Sequence, residues 1–193
     1  NEGLSCSLFE RLMALGAPST MLTTQYRMHP VIREWPSERF YGGQLEDGVS
    51  AEERPAPAGF VWPDWDAPVA FIPVEGSEDT SPDGASKQNM DEAGLAVRVV
   101  DMLLSGGDIT PSDIGVVTPY SGQVRLLNDL FESAGGREEH ERYHGLEIKT
   151  VDGYQGREKD VIVLSAVRAN EAGEMGFLTD RRRLNVAITR ARR

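Results

Sequence analysis

The sequence has a single cysteine, Cys6, which excludes an internal disulfide and any zinc site built on cysteines. Three histidines, His29, His140 and His144, show no metal-ligand spacing with other candidates, so no metal site is expected. No apolar run approaches the roughly 18 residues of a membrane-spanning helix. The first residues, Asn1-Glu2-Gly3, provide no basic segment leading into an apolar core, so no signal peptide is expected. They also lack an initiator Met, and Arg192-Arg193 ends the sequence inside a helical pattern. A piece of a longer protein is therefore expected. No Gly-Lys pair occurs anywhere, so the phosphate loop GxxxxGK[ST] is missing.

Lysine is scarce too. Of 20 basic residues only Lys87, Lys149 and Lys159 are lysine. The other basic residues are arginines, whose planar forks suit bidentate contacts with phosphate or carboxylate. A net charge of -11 argues against a general nucleic-acid-binding surface. The charge is split, however. Residues 1–140 carry 9 basic against 23 acidic residues, and residues 141–193 carry 11 against 8.

With 193 residues, 39% hydrophobic, a single packed domain is expected. Residues 4–15 read as an amphipathic helix with Leu4, Leu8, Leu12 and Leu15 on one face, capped by Ser5 or Ser7. Residues 46–68 and 75–89 read as irregular excursions, separated by a short strand from Val69 to Val74. Asp91 can cap a helix to about Leu104, with Leu95, Val99 and Leu103 inward. Asp91-Glu92-Ala93 imitates a magnesium-binding DEA sequence, but it opens a helix rather than ending an apolar strand, so capping is the expected role. Strands are expected at 114–118, 147–151 and 160–167, and helices at 121–133 and 180–192, with a charged loop at 135–145. This alternation implies an α/β fold with a doubly wound parallel sheet. Ligands then belong beyond the carboxyl ends of the strands, near Thr118-Pro119-Tyr120, Asp152 to Gly156 and Arg168-Ala169-Asn170.

Three segments carry unusual chemistry. They are Gln25-Tyr26-Arg27-Met28-His29-Pro30, the polar run from Val151 to Asp160, and the arginine-rich run from Arg181 to Arg192. Arg183, Ala187 and Arg190 fall near one face of the last expected helix. An arginine beside an inner face needs an anion. On the residues alone, a carboxylate of the same chain or a bound phosphate would serve, and the carboxylate is the commoner arrangement.

In this order, and with Thr118 to Gln123 between the first and second, these segments resemble the signature motifs of the C-terminal RecA-like lobe of Upf1-like superfamily 1 helicases. The likeness runs from Ser7 to Arg192. The connecting segments Phe40-Tyr41, Trp62-Pro63 and Gly176-Phe177-Leu178 resemble the branch of the group that acts in nonsense-mediated mRNA decay. Gly153-Tyr154 stands where Ala-Phe is usual, and residues 54–68 and 135–145 diverge. The resemblance implies a RecA-like second lobe over residues 1–193, in an ATP-dependent helicase whose first lobe supplies the phosphate loop and the magnesium site. It implies arginine fingers at Arg27 and Arg190, adenine stacking by Tyr26, a contact near the ribose from Glu158, and close approach of the backbone to the nucleotide at Gly156. It further implies nucleic-acid contacts at Thr118, Pro119, Tyr120 and Thr150. The implied cofactor is ATP with Mg2+. The implied partners are single-stranded RNA or DNA, the first lobe and decay-factor proteins, with no membrane. The implied location is the cytoplasm, or else the nucleus. A DNA-directed helicase of the same group and a non-catalytic helicase-like binding module are the alternative readings.

Overall fold

Ile114–Thr118 is an almost wholly apolar run, and it forms the central strand, β5, with all five residues buried. In the computed structural model, which describes residues 6–135 and 142–193, it is flanked by β6 (Glu147–Thr150) and β7 (Val161–Leu164), both parallel to it. Val116 aligns with Ile148 on one side and Val163 on the other. A strand covered on both faces has no use for polar alternation, which is why β5 and β7 read as continuous apolar runs.

The two faces are packed by different helices. Ile114 and Val116 meet α3 (Met90–Ser105) through Ala93, Ala96, Val100 and Leu103, and α4 (Ser121–Gly135) through Leu127 and Phe131. On the opposite face Val117 packs with Val151, Tyr154 and Ala187, the last from α5 (Arg181–Ile188). The sheet is therefore wound on both sides, as the alternation of strands and helices implies.

Before this sheet come α1 (Leu8–Ala14), the parallel pair β1 (Thr24–Gln25) and β2 (Glu46–Asp47), and α2 (Pro30–Tyr41) between them. β3 (Asp79–Thr80) and β4 (Lys87–Gln88) form a small hairpin inside the second expected excursion.

Several expectations need correction. Ser7 caps α1 in a reciprocal box with Glu10, but Leu8, Leu12 and Leu15 are exposed, not inward. Leu4 and Ser5 lie outside the described residues, as do 136–141 of the charged loop. Asn89, one turn ahead of Glu92, caps α3 in place of Asp91. Residues 69–74 are not a strand, and Phe71 is 90% exposed. Pro68 and Pro73 bracket the run and withhold two ladder donors. α5 ends at Ile188, so Arg190 lies in the exit turn and not on the helix. The chain leaves the helix because Ala191 bridges Lys159 in parallel and Arg192 N donates to Lys159 O at 2.9 Å.

Tyr154 is fully buried, and its hydroxyl has no hydrogen-bond partner. The hydroxyl lies against Gly115, where a Cβ would come within 2.0 Å of it. A buried unsatisfied hydroxyl costs about 1–3 kcal/mol. Tyr154→Phe is therefore expected to raise the melting temperature by about 2–4 °C. Gly115→Ala should lower it by a comparable or larger amount through overpacking, and Tyr154→Phe should recover part of that loss. Thermal unfolding of the two single variants and the double variant checks this. A Tyr154→Phe chain that melts lower than the parent would show that the hydroxyl is satisfied.

Candidate nucleotide and nucleic-acid interface

The 25–30 segment folds around one side-chain amide. Gln25 Oε1 accepts from Arg27 N at 3.0 Å and from Met28 N at 2.7 Å. Its Nε2 donates to Met28 O and to Asp47 Oδ1, both at 2.9 Å. Asp47 is also held by Arg33, whose hydrogen bond keeps the carboxyl below its ordinary range. His29 then starts α2. Its Nδ1 accepts from Val31 N at 3.2 Å, and Pro30 takes the first helical position, where no amide donor is needed. Burial lowers the His29 pKa, which suits a ring nitrogen used as an acceptor. The result is a stiff turn that leaves Tyr26 68% exposed, with Arg27 beside it.

All three signature segments meet at this turn. His29 N donates to Arg192 O at 2.7 Å. Arg27 Nε donates to Glu158 Oε2 at 2.5 Å, and its Nη1 to Thr189 O at 2.8 Å. Arg192 grips the other oxygen of Glu158 through Nε at 3.0 Å and Nη2 at 2.5 Å. Arg192, and then Arg27 against the effect of burial, hold the Glu158 carboxyl below its ordinary range.

Arg190 differs from its neighbours. Its Nε donates to Val186 O at 2.8 Å, Nη2 to Thr189 Oγ1 at 3.0 Å and Nη1 to Arg157 O at 3.4 Å. Among the described residues it makes no ion pair with a carboxylate. The acceptors are neutral, and two of them, Val186 O and Thr189 Oγ1, sit at the end of α5, where the helix dipole favours a cation. Burial, followed by the charge of Arg27, lowers the Arg190 pKa. Two guanidinium groups are thus held near one another with one carboxylate, Glu158, bound to the first.

This cluster lies at the amino end of β7, not beyond the carboxyl ends of the strands. The reason is topological. Residues 151–160 connect the end of β6 to the start of the parallel strand β7, so they cross the whole sheet. Gly156, on that crossing, has φ +80°, and a Cβ there would meet nothing within 4 Å. Within this chain the backbone conformation is what requires glycine.

At the carboxyl end, the four residues Thr118, Pro119, Tyr120 and Thr150 divide. Thr118 is fully buried and accepts weakly from Tyr120 N at 3.5 Å. Tyr120 is buried under Phe177, ring edge to face at 5.6 Å, and its hydroxyl accepts from Arg168 Nη1 at 3.3 Å. These two shape the loop from within. Pro119 and Thr150 are half-buried. Pro119 borders a crevice with Asp152, Phe177, Arg183 and Leu184. Thr150 Oγ1 accepts from Gly153 N at 3.2 Å.

Sequence reasoning missed the support beneath this loop. Val167, fully buried, has φ +71°, a left-handed conformation that is costly for a β-branched residue. Glu92 Oε2 holds it by accepting from Val167 N at 2.9 Å and Ser165 Oγ at 2.6 Å. Asn89 Nδ2 donates to Val167 O at 3.3 Å. The turn delivers Arg168 to Glu78, which accepts from Arg168 Nε at 2.7 Å, Ala169 N at 3.0 Å and Asn170 Nδ2 at 3.0 Å. Nothing in a Val-Arg-Ala-Asn sequence announces a left-handed valine.

The AAA domain family matches residues 4–193. Over 191 residues the chain is 45% identical to "Regulator of nonsense transcripts 1 homolog" of Drosophila melanogaster, covering 98% of this chain and 16% of that protein. It is 44% identical over 193 residues to "ATP-dependent helicase NAM7" of Saccharomyces cerevisiae, covering 100% and 20%. It is 43% identical over 190 residues to "ATP-dependent helicase upf1" of Schizosaccharomyces pombe, covering 98% and 20%. The chain thus spans a fifth or less of the length of these relatives.

The Glu78 site makes a pH-dependent contribution. Burial opposes ionisation, yet the bonds from Arg168, Asn170 and Ala169 bring its pKa from 4.5 to about 2. A carboxyl whose folded pKa is depressed stabilises the fold above its unfolded pKa, and that stability is lost as pH falls through the folded value. Urea unfolding from about pH 6 to about pH 2, a range that spans the unfolded value of 4.5 and reaches the folded value of about 2, is therefore expected to show a steeper acid loss in the parent than in Glu78→Gln. The difference should be on the order of 2 kcal/mol at neutral pH and nearly absent at the acid end. Parallel curves would remove Glu78 from the acid response.

Proposed function

The chain belongs to the AAA domain family, and on that premise we propose that its RecA-like α/β unit is the arginine-bearing second lobe of an ATP-driven motor that moves along single-stranded RNA or DNA. The observation that carries the reading is Arg190. A half-buried guanidinium fixed by three neutral acceptors, beside a second arginine, has a stable geometry and an unmet charge. A γ-phosphate from ATP is an anion of the right charge and shape. Negative charge builds on its equatorial oxygens as the phosphoryl group transfers, and a preplaced fork stabilises that charge without reorganising.

Arg27 supplies the second fork. Until nucleotide arrives, Glu158 neutralises it. In this reading the Tyr26 ring stacks on the adenine, Glu158 turns towards the ribose and Gly156 keeps the backbone close to the nucleotide. No cluster of three carboxylate, imidazole or thiolate side chains fit to hold a metal occurs among the described residues. In this reading the Mg2+ of the ATP complex, the phosphate loop and the catalytic base come from a first lobe. At the other end of the sheet, Pro119, Thr150 and the backbone around them are proposed to follow the sugar-phosphate strand without reading its bases. The Drosophila melanogaster relative is named a homologue of a regulator of nonsense transcripts, and we extend that process, with its decay-factor partners, to this chain.

The 193-residue chain alone should hydrolyse no ATP above background. Its binding to a fluorescent single-stranded oligonucleotide should be weak and should fall further as salt rises. In the full-length protein, Arg190→Ala should reduce ATP turnover by roughly 10³-fold or more, with a much smaller loss of ATP binding. Arg190→Lys should recover only part of that turnover, because an ammonium cannot replace a fork. Near-normal turnover by Arg190→Ala would sink the finger assignment.

A further inference from the structure

Residues 48–54 read from sequence as the start of an irregular, proline-rich stretch, yet they are tied closely to the Tyr26–Arg27 turn. Gly48 N donates to Gln25 O at 2.7 Å. A Cβ on Gly48 would lie 2.4 Å from Tyr26 Cε1 and 2.5 Å from Cδ1, so the tyrosine ring rests on bare backbone. Arg54 Nε donates to Arg27 O at 3.0 Å, and its Nη2 to Tyr26 O at 3.2 Å. Its Nη1 bonds Glu53 O at 3.0 Å. The segment is itself shaped for this, with Ser50 N on Glu53 Oε2 at 2.8 Å and Arg54 N on Ala51 O at 3.0 Å.

The geometry has a specific consequence for Arg27. A peptide unit is planar, so holding its oxygen and its nitrogen fixes the plane. The unit joining residues 26 and 27 has its oxygen on Arg54 and its nitrogen on Gln25. The unit joining residues 27 and 28 likewise has its oxygen on Arg54 and its nitrogen on Gln25. Both planes that flank the Arg27 Cα are therefore clamped from two sides, and the direction of its side chain is set with them. A guanidinium can bridge two successive carbonyls from one side chain; a lysine ammonium is a point donor on a flexible stem.

We propose that Arg54 and Gly48 are positioning residues of the nucleotide site: Arg54 aims Arg27 by clamping its two flanking peptides, and Gly48 provides the floor that holds the Tyr26 ring ready for the base. The proposal rests on the reading of Tyr26 and Arg27 as nucleotide contacts.

Steady-state ATP hydrolysis by the full-length protein, with single-stranded RNA present, tests it. The Gly48 backbone lies outside the left-handed region, so alanine is tolerated there and acts only by displacing the ring. Gly48→Ala is expected to raise the KM for ATP roughly five- to tenfold with kcat within about twofold of the parent. Arg54→Ala is expected to lower kcat roughly tenfold or more. In an Arg27→Ala background it should change kcat by less than about twofold, because the group it aims is gone. Arg54→Lys, which keeps the charge and the fold, should recover little. If Arg54→Ala lowers kcat by the same factor in both backgrounds, or Gly48→Ala leaves KM unchanged, the corresponding positioning role is wrong. If Arg27→Ala itself keeps normal turnover, the nucleotide reading fails first, and this proposal with it.

Discussion

One shortage of negative charge governs the end of the molecule proposed to hold nucleotide. Arg27 and Arg190 are held near each other, and Glu158 is the carboxylate that answers the first while the second rests on carbonyls and a hydroxyl. Everything nearby serves to keep that arrangement in place. Arg192 fixes the far oxygen of Glu158, the end of α5 lends its dipole to Arg190, and the amide of Gln25 freezes the turn that carries Arg27. The fold tolerates a cation without an ion pair because α5, β5 and β7 fix its surroundings through apolar packing of Ala187, Val117 and Leu164.

The same packing links the two ends of the sheet. The 151–160 crossing begins beside Thr150 at the carboxyl end of the sheet and finishes at Glu158 near its amino end. α5 runs alongside, with Arg183 bonded to Asp152 at one end and Arg190 on Arg157 at the other. A displacement at either end is carried by rigid, paired chain and not by a free loop. In a motor of the proposed kind, nucleotide and strand would be coupled through these two elements.

Much of this was legible in the sequence. β5 and its neighbours declared themselves by apolar runs too dense for a half-exposed strand, and α3 and α4 by their periodicity. The three polar segments stood out because arginines and glycines clustered where a core would not need them. The failures have physical causes. Val69 to Val74 has strand-forming residues but no partner to pair with, and composition cannot report a missing neighbour. The α5 pattern ran on to Arg192 because Ala191 fits a helical face. A parallel bridge to Lys159 overrode that preference. The resemblance implies nucleic-acid contacts at Thr118 and Tyr120; their side chains are buried, Tyr120 beneath Phe177, which leaves the main chain of that turn for such a role. Arg54 was hidden by the prolines around it, since its partners are main-chain oxygens and carry no residue code.

The scarcity of lysine has a consequence for control. All three lysines are engaged with glutamates, Lys87 with Glu78 and both Lys149 and Lys159 with Glu147. The remaining positive charge is guanidinium, which neither acetylation nor a rise in pH within the living range can discharge. In residues 141–193 nine of the eleven basic groups are of this kind, so the positive charge of that half is largely fixed. A signal that tunes that charge acts on Lys149, on Lys159 or on the acidic partners, by removing the few dischargeable cations or by adding, moving or occupying negative charge.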